Sequence, residues 1–396
     1  LVAALGYKIT LRISKNFPLS LLAFLFLALN PFLIRYSQEA RMYGVLGVFL
    51  LIAMYGLIMV VENNQDIRGY LLYAAGIAAG LYTHYFTALV VISFWLYVVI
   101  VYCRAKKNRI AILVNWRWWA ANALALILFL PWVPNMIKQL TRGQGLGWLP
   151  KSSLYTFNDT IWQFFSFTDG RKLFQPIYWV VPILVLMVMV YLIIKDKSKQ
   201  RYTIMLVSFT LLPVLLAIAA SLVRPVYHER YFVFSAIGVC ILLALFVGQL
   251  YIKHRVLACM VAVIIILVQL VGLRNVNAQA NHKMSEVVGH INSGFMVGDS
   301  IVSGELYTYF DGSYYNSTGS TILLYTGSGR PNGYGESGLI FDKGVYLDSY
   351  NELTSKRVWV LGKTGQHSYF DNVPSNWKLL ESYSAGYSAV RLYQIQ

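Results

Sequence analysis

Charged residues are scarce in this chain, and long stretches lack them altogether. Only 13% of its 396 residues are Asp, Glu, Lys or Arg, whereas 57% are hydrophobic. This balance lies outside the range of soluble globular proteins and is typical of proteins that cross a membrane several times. The basic excess, a formal net charge of +16, lies mostly in short loops between apolar runs. Nucleic acid is therefore not an expected partner.

Cysteine is also rare, and several chemical motifs are missing. The three cysteines lie in or at the ends of apolar segments, and their spacing matches no disulfide or metal framework. The sequence contains no Walker loop, no HExxH, no CxxC and no Asp-x-Asp pair. The lack of these motifs argues against a nucleotide-sugar transferase and a metalloprotease, and it predicts neither a metal site nor a cofactor.

Nine apolar stretches are long enough to cross a bilayer, which takes about 20 residues. We expect them near residues 18–35, 42–61, 70–85, 87–103, 117–137, 177–194, 204–223, 231–252 and 256–273. Their continuous apolarity, without two-residue alternation, predicts helices rather than a barrel. Residues 1–12 are interpreted as the end of a preceding helix, and the leucine start indicates a longer protein.

The basic loops predict which side of the membrane each segment faces. When the spans are counted, the loops 104–109, 195–201 and 253–255 fall on one face, which the positive-inside rule makes cytoplasmic. We therefore predict a multi-pass protein of the cell (plasma) membrane, an α-helical bundle over residues 1–275. Residues 276–396 mix short helical and strand-like segments, which predicts a small extracytoplasmic α/β domain.

The predicted outer face collects the polar and aromatic clusters of the chain. Between two apolar runs, Arg35–Tyr43 holds two arginines, a glutamate and two tyrosines. Charged groups at bilayer depth cost about 2.5–3.5 kcal/mol each, so this stretch must lie at an aqueous edge or in a wet cavity. It is a candidate functional site; the alternative is an ordinary interfacial turn with aromatic belt residues.

Arginine and histidine can hold a phosphate without a metal. Arg41 and Arg230 offer planar groups that bind phosphate oxygens in pairs, and His84 and His228 can donate to the same phosphate or carry protons. Residues predicted to shape a sugar or acceptor pocket are Tyr36, Glu39, Tyr82, Tyr85, Trp148 and Glu229. Each of these residues also has a structural alternative; His84, for example, can be only a helix cap.

Several motifs together resemble a known family. Pro31–Tyr43 is similar to the P-x-x-x-x-Y-S-Q-E-A-R-M-Y signature of bacterial and archaeal relatives of dolichyl-phosphate-mannose protein mannosyltransferases. These proteins belong to glycosyltransferase family 39 and have the multi-helical GT-C fold. The resemblance continues in order to about residue 275, through Leu81–Phe86, Phe129–Pro134, Gly147–Pro150 and Glu229–Tyr231.

The resemblance implies an inverting glycosyltransferase. Such an enzyme moves a monosaccharide from a polyprenyl-phosphate carrier in the bilayer to a protein, lipid or glycan acceptor at the outer face. In the family the general base is an Asp in the first outer loop. That loop would precede residue 1, so no catalytic residue is assigned here. The alternatives are a transporter or flippase of lipid-linked saccharides and a non-catalytic membrane scaffold.

Overall fold

The computed structural model describes residues 1–39, 41–104, 112–141, 149, 151–153, 155–168, 170–171, 174–279, 283–327, 344–365 and 369–395. The chain divides into a helical unit, Leu1–Val276, and a mixed unit, Asn277–Gln396. This division lies one residue from the predicted one.

The helical unit is built from helices joined by short connections. In chain order they are α1 (Val2–Ser14), α2 (Phe17–Ala28), α3 (Pro31–Gln38), α4 (Tyr43–Glu62), α5 (Ile67–Thr83), α6 (Thr87–Arg104), α7 (Trp116–Phe129), α8 (Val133–Thr141), α9 (Thr156–Ser166), α10 (Gln175–Lys195), α11 (Tyr202–Val223), α12 (Val233–Lys253) and α13 (Arg255–Gln279). Turns of 3₁₀ helix over Leu130–Trp132 and Glu229–Phe232 lead into α8 and α12.

The long apolar helices make this a multi-pass membrane protein. Within the described residues, six helical segments are long and apolar enough to span a membrane, and a seventh results if α2 and α3 count as one bent span. Helix α5 has 17 residues and is therefore just below the 18 residues taken here as the minimum for a span. Helix α6 also belongs to the shorter apolar helices. The nine predicted spans therefore stay a prediction.

The predicted span over 18–35 is bent, because α2 and α3 meet there at 54°. Asn30 caps α3 with its side chain, and Pro31 has no N–H to continue the hydrogen-bond ladder of α2. The Asn30 amide Nδ2 also donates to the carbonyl oxygen of Phe164 in α9 at 2.9 Å. The bend therefore pairs polar groups inside the protein, as a lipid environment requires.

Helices α4 and α5 pack with their backbones almost in contact. A Cβ atom at Gly76 would lie 2.6 Å from the backbone nitrogen of Ala53, and one at Gly56 would lie 2.5 Å from that of Tyr73. Such an approach requires small residues. Because the two helices are joined by a short turn and run antiparallel, this contact places the end of α5 beside the beginning of α4.

The mixed unit contains a six-stranded sheet. Its strands are β1 (Ser300–Ser303), β2 (Ile322–Tyr325), β3 (Tyr346–Leu347), β4 (Arg357–Lys363), β5 (Lys378–Ala385) and β6 (Ser388–Gln394), in the order β3-β2-β1-β4-β6-β5. Neighbouring strands among β1 to β4 are parallel, whereas β6 pairs antiparallel with β4 and β5. Helices α14 (Met284–Gly294) and α15 (Leu306–Tyr315) pack on one face, and an aromatic cluster covers the other. The predicted small α/β domain is confirmed.

Candidate functional site

Three helices of the helical unit begin around one group of rings. Tyr43 is the first residue of α4, His84 lies three residues before α6, and Tyr231 lies two residues before α12. Ring centroids are 6.3 Å apart for Tyr43 and His84, 4.8 Å for His84 and Tyr231, and 6.1 Å for Tyr43 and Tyr231. Helix N-termini carry unpaired N–H groups and a partial positive charge. Their convergence favours an anion.

Arg230 lies between two of these rings. Its guanidinium carbon is 5.8 Å from the ring centroid of Tyr43 and 5.8 Å from that of Tyr231. Contacts of this kind contribute about 0.5–1 kcal/mol when exposed and about 2 kcal/mol when desolvated. A cation just before α12 is disfavoured by the helix dipole, so the two aromatic contacts offset an unfavourable position.

Arg41 reaches the same group from the beginning of α4. Its side chain hydrogen-bonds to the hydroxyl of Tyr43, and its charge acts together with that of Arg230 on the ring of His228. The two arginines predicted to bind phosphate therefore share Tyr43 and His228 as neighbours. We define the cationic cluster as Arg41, Tyr43, His84, His228, Arg230 and Tyr231.

His84 and His228 occupy matching positions. Both have an extended backbone. Each accepts a hydrogen bond at Nδ1 from the backbone N–H two residues later, from Phe86 at 3.1 Å and from Arg230 at 3.4 Å. A ring nitrogen that accepts carries no proton, so in the neutral ring of His84 the proton resides on Nε2, which can donate. Nδ1 of His228 also faces Oε2 of Glu229, a contact that favours a proton on Nδ1 instead.

Burial keeps both rings uncharged at pH 7. Burial and, next, the charge of Arg230 lower the pKa of His84 to about 4. Burial, Arg230 and Arg41 lower the pKa of His228 to about 4. Nδ1 of His228 lies 3.2 Å from Oε2 of Glu229, but with a neutral ring this contact is not an ion pair. The positive charge of the cationic cluster at pH 7 comes from its arginines.

Two predicted pocket residues, Tyr36 and Glu39, adjoin the cationic cluster. The Tyr36 ring is buried and lies 5.8 Å from that of Tyr43 between centroids, and the charges of Glu229 and Glu39 act on its hydroxyl. Glu39 pairs with Arg35 at 3.1 Å. Its Oε2 atom is buried and has no hydrogen-bond partner among the described residues.

Tyr82 and Tyr85 turn in another direction. The Tyr82 hydroxyl donates to the carbonyl oxygen of Leu128 at 2.9 Å, and the Tyr85 hydroxyl donates to Oε1 of Gln139 at 2.6 Å. In the described part of the chain these hydrogen bonds hold both side chains on α7 and α8, not on the cationic cluster. Trp148, also predicted to line the pocket, lies outside the described residues.

A cavity of about 350 Å³ borders the cationic cluster at His228 and Glu229. This volume is near the lower end of those found for small-molecule sites. Each described residue of its wall carries a polar or charged group: Lys151, Ser152, Ser153, Thr156, Asp159, Thr160, Gln163, Arg171, Tyr227, His228 and Glu229. We call it the polar cavity. Among its residues, only His228 and Glu229 were predicted from the sequence as site residues.

Four of the nine missed residues of the polar cavity lie on α9. Asp159 and Gln163 are one turn apart and so share a helix face, a signal available in the sequence. The partners of Asp159 have no such signal. Its carboxylate accepts from Nε of Arg171 at 3.2 Å and from the hydroxyl of Tyr178 at 2.7 Å. Arg171 and Tyr178 follow after irregular chain, so only the fold reveals these pairs.

A second cavity, of about 580 Å³, lies at the opposite end of α12. Much of its wall is apolar, and the carboxylate of Asp196 is committed to backbone N–H groups of Ser198 and Thr203. None of the predicted site residues lines it. Among the described residues there is also no group of three or more His, Cys, Asp or Glu side chains that could hold a metal. The candidate site is therefore the cationic cluster with the polar cavity.

Comparisons with known proteins give one partial match to a family model and one fold. Residues 2–134 match the family model described as dolichyl-phosphate-mannose-protein mannosyltransferase; this segment contains Arg41 and His84 but not Arg230. A search of curated protein sequences finds no significant match.

Among solved structures, ArnT from Cupriavidus metallidurans is similar over almost the whole chain. Its apo structure matches with a TM-score of 0.60 and 10% identity, over 99% of this chain and 82% of ArnT. Its structure bound to undecaprenyl phosphate matches with a TM-score of 0.57, the same identity and the same coverage. This chain has the ArnT fold. The predicted fold class, a GT-C-like bundle with a small α/β domain, is confirmed.

Proposed function

We propose that this protein is a membrane glycosyltransferase that takes a monosaccharide from a polyprenyl-phosphate carrier. The observation that carries the proposal is the convergence of Arg41 and Arg230 on one group of rings where three helices begin. It is supported by the family model over residues 2–134. The ArnT structure with undecaprenyl phosphate adds a protein of the same fold that binds an isoprenoid phosphate.

The cationic cluster is suited to hold a phosphate and to stabilise it as a leaving group. When the bond between sugar and phosphate breaks, negative charge grows on the phosphate oxygens, and donors already in place lower the barrier. The two guanidinium groups supply charged donors, and the Nε2–H group of His84 supplies a neutral one. Since both histidines are neutral at pH 7, we assign them hydrogen bonding and not proton transfer.

We further propose that transfer is inverting and occurs at the outer face of the plasma membrane. The sidedness is supported by the basic loops at the opposite ends of the helices. Inversion is supported by the sequence resemblance alone, and the acceptor is a protein, a lipid or a glycan. The mixed unit is proposed to lie on the same side as the acceptor.

The test is sugar transfer by the complete protein in lipid nanodiscs with radiolabelled polyprenyl-phosphate sugars. A hydrogen bond to a charged group contributes about 1.5–3 kcal/mol. Arg41→Ala and Arg230→Ala should therefore each lower kcat/KM by about 10- to 150-fold. Arg224→Ala, an exposed arginine at the same end of the bundle, is the matched control and should have little effect.

Two results would count against the proposal. Full transfer activity in both arginine variants would remove the phosphate assignment. Movement of the lipid-linked sugar across the bilayer without transfer or hydrolysis would instead identify a transporter.

A further inference from the structure

We infer that the polar cavity binds the sugar ring of the lipid-linked donor, an inference that rests on the proposed function. It assigns a role to Lys151, Ser152 and Gln163, none of which the sequence indicated. The starting point is the composition of the wall, because each described residue of this cavity of about 350 Å³ carries a polar or charged group. An isoprenoid tail could not use these groups, since it forms no hydrogen bonds.

Some residues of the wall already use their polar groups in an ion pair and in hydrogen bonds within the protein, and we call these residues the frame. Asp159 binds Arg171 and the hydroxyl of Tyr178, and Thr160 hydrogen-bonds to the hydroxyl of Tyr227. Asp159 and Thr160 are neighbours on α9, so these bonds hold that helix against α10 and the loop before α12. The frame therefore gives the cavity a defined shape.

Three other side chains of the wall have polar groups to spare. The hydroxyl oxygen of Ser152 is buried and has no hydrogen-bond partner among the described residues. Within the same residues, the structure gives the side chains of Lys151 and Gln163 no hydrogen bond either. A buried hydroxyl without a partner costs free energy, and a ligand with hydroxyl groups would satisfy it.

The chemistry of these groups favours a sugar over an ion. The serine hydroxyl and the glutamine amide can each donate and accept, and lysine donates only. Sugar hydroxyls also both donate and accept, so a single ring can satisfy all three side chains. Because the wall holds carboxylates as well as cations, a simple anion has no advantage there.

The location of the cavity favours the donor's sugar over the acceptor's. His228 belongs both to the cavity wall and to the cationic cluster. A phosphate at Arg41 and Arg230 would therefore have its attached sugar next to the cavity. In this arrangement the cluster holds the phosphate and the cavity selects the sugar.

The test compares two ligands in the complete protein, polyprenyl phosphate and the polyprenyl-phosphate sugar that it uses. Gln163→Ala and Lys151→Ala should each weaken binding of the sugar-bearing ligand by about threefold to tenfold, the usual value of one hydrogen bond. Binding of polyprenyl phosphate alone should not change. Gln175→Ala, an exposed glutamine near the same end of the bundle, is the control and should alter neither.

Donors that lack single hydroxyl groups provide an independent readout. If Gln163 binds one hydroxyl, the wild type should lose affinity for the donor without that hydroxyl, and Gln163→Ala should lose nothing further with it. A merely structural role of Gln163 would weaken all donors equally. Lys151→Ala can be compared with the same set of donors. Because Lys151 is exposed, this substitution should not disturb the fold.

The possible failures can be told apart. If the wild type binds neither ligand, the proposed function is wrong and the inference falls with it. If the wild type transfers sugar but both variants bind both ligands normally, only the inference is overturned. If the variants change only the KM of the acceptor, the cavity binds the acceptor and not the donor's sugar. This result also overturns the inference.

Discussion

The two half-buried histidines make the protein sensitive to acid in a defined pH range. In the folded state the pKa values of His84 and His228 are about 4, compared with the ordinary 6.5. Between these values the unfolded chain binds a proton that the folded chain does not. Stability is therefore full above pH 6.5 and falls as the pH drops from about 6.5 to about 4.

The size of this effect follows from the two pKa values. One pKa unit corresponds to about 1.4 kcal/mol, so His84 lowers the free energy of unfolding by up to about 3 kcal/mol when the pH reaches 4, and His228 lowers it by less because solvent screens its more exposed ring. Carboxylates titrate in the same range, so the comparison must be between variants. His84→Asn and His228→Asn keep a side-chain oxygen that can accept the capping hydrogen bond but remove the titrating group.

The assay is thermal unfolding of the complete protein in detergent micelles, followed from pH 7.5 to pH 4. The wild type should lose more stability toward low pH than either asparagine variant, and the double variant should have the flattest profile. His254→Asn, at an exposed histidine after α12, is the control and should follow the wild type. If the double variant has the wild-type pH dependence, the two rings are not buried as the structure places them.

Two further predictions concern the packing that positions the site. Asn30→Ala removes a cap and leaves the carbonyl oxygen of Phe164 unpaired, which should cost about 2–4 kcal/mol. Asn16→Ala, at the exposed cap of α2, should cost only about 1 kcal/mol, and equal losses of thermal stability would contradict this account. Gly76→Ala places a Cβ against the backbone of α4 and should cost about 1–3 kcal/mol. Gly289→Ala in α14 meets no atom within 4 Å and should be neutral or stabilising in the same melting experiment.

The helical architecture could be predicted from the sequence because an apolar run of about 20 residues is typical of a membrane-spanning helix and of few other structures. The break at Asn30 was missed although its signals were present. Asparagine followed by proline is a typical helix start, but the apolar run continues on both sides of it. An apolar run predicts that a segment lies in lipid or in the protein core. It does not predict where the backbone of that segment bends.

The candidate site was only partly predictable. Arg41 and Arg230 stand out in the sequence because each is a charged residue at the boundary of a long apolar helix. The fold brings these two residues together. The directions of Tyr82 and Tyr85 could not be predicted, because both lie at the end of α5 and partners on α7 and α8 decide where they point. The polar cavity was missed for a related reason: only its residues on α9 follow a helical period, and the rest of its wall is scattered over residues 151–171 and 227–229.

The cationic cluster has the properties of a site prepared for an anion. Arg230 stands against the dipole of α12, and Arg41 lies close enough for both charges to act on His228. Two like charges near helix N-termini repel each other and oppose the helix dipoles, yet the aromatic contacts of Arg230 hold its side chain in place. The phosphodiester of a lipid-linked sugar would offset one of these positive charges, and the charge that grows on the leaving phosphate would offset the second. The donors would then already be in position when the bond to the sugar breaks, which is the condition for efficient stabilisation of a leaving group.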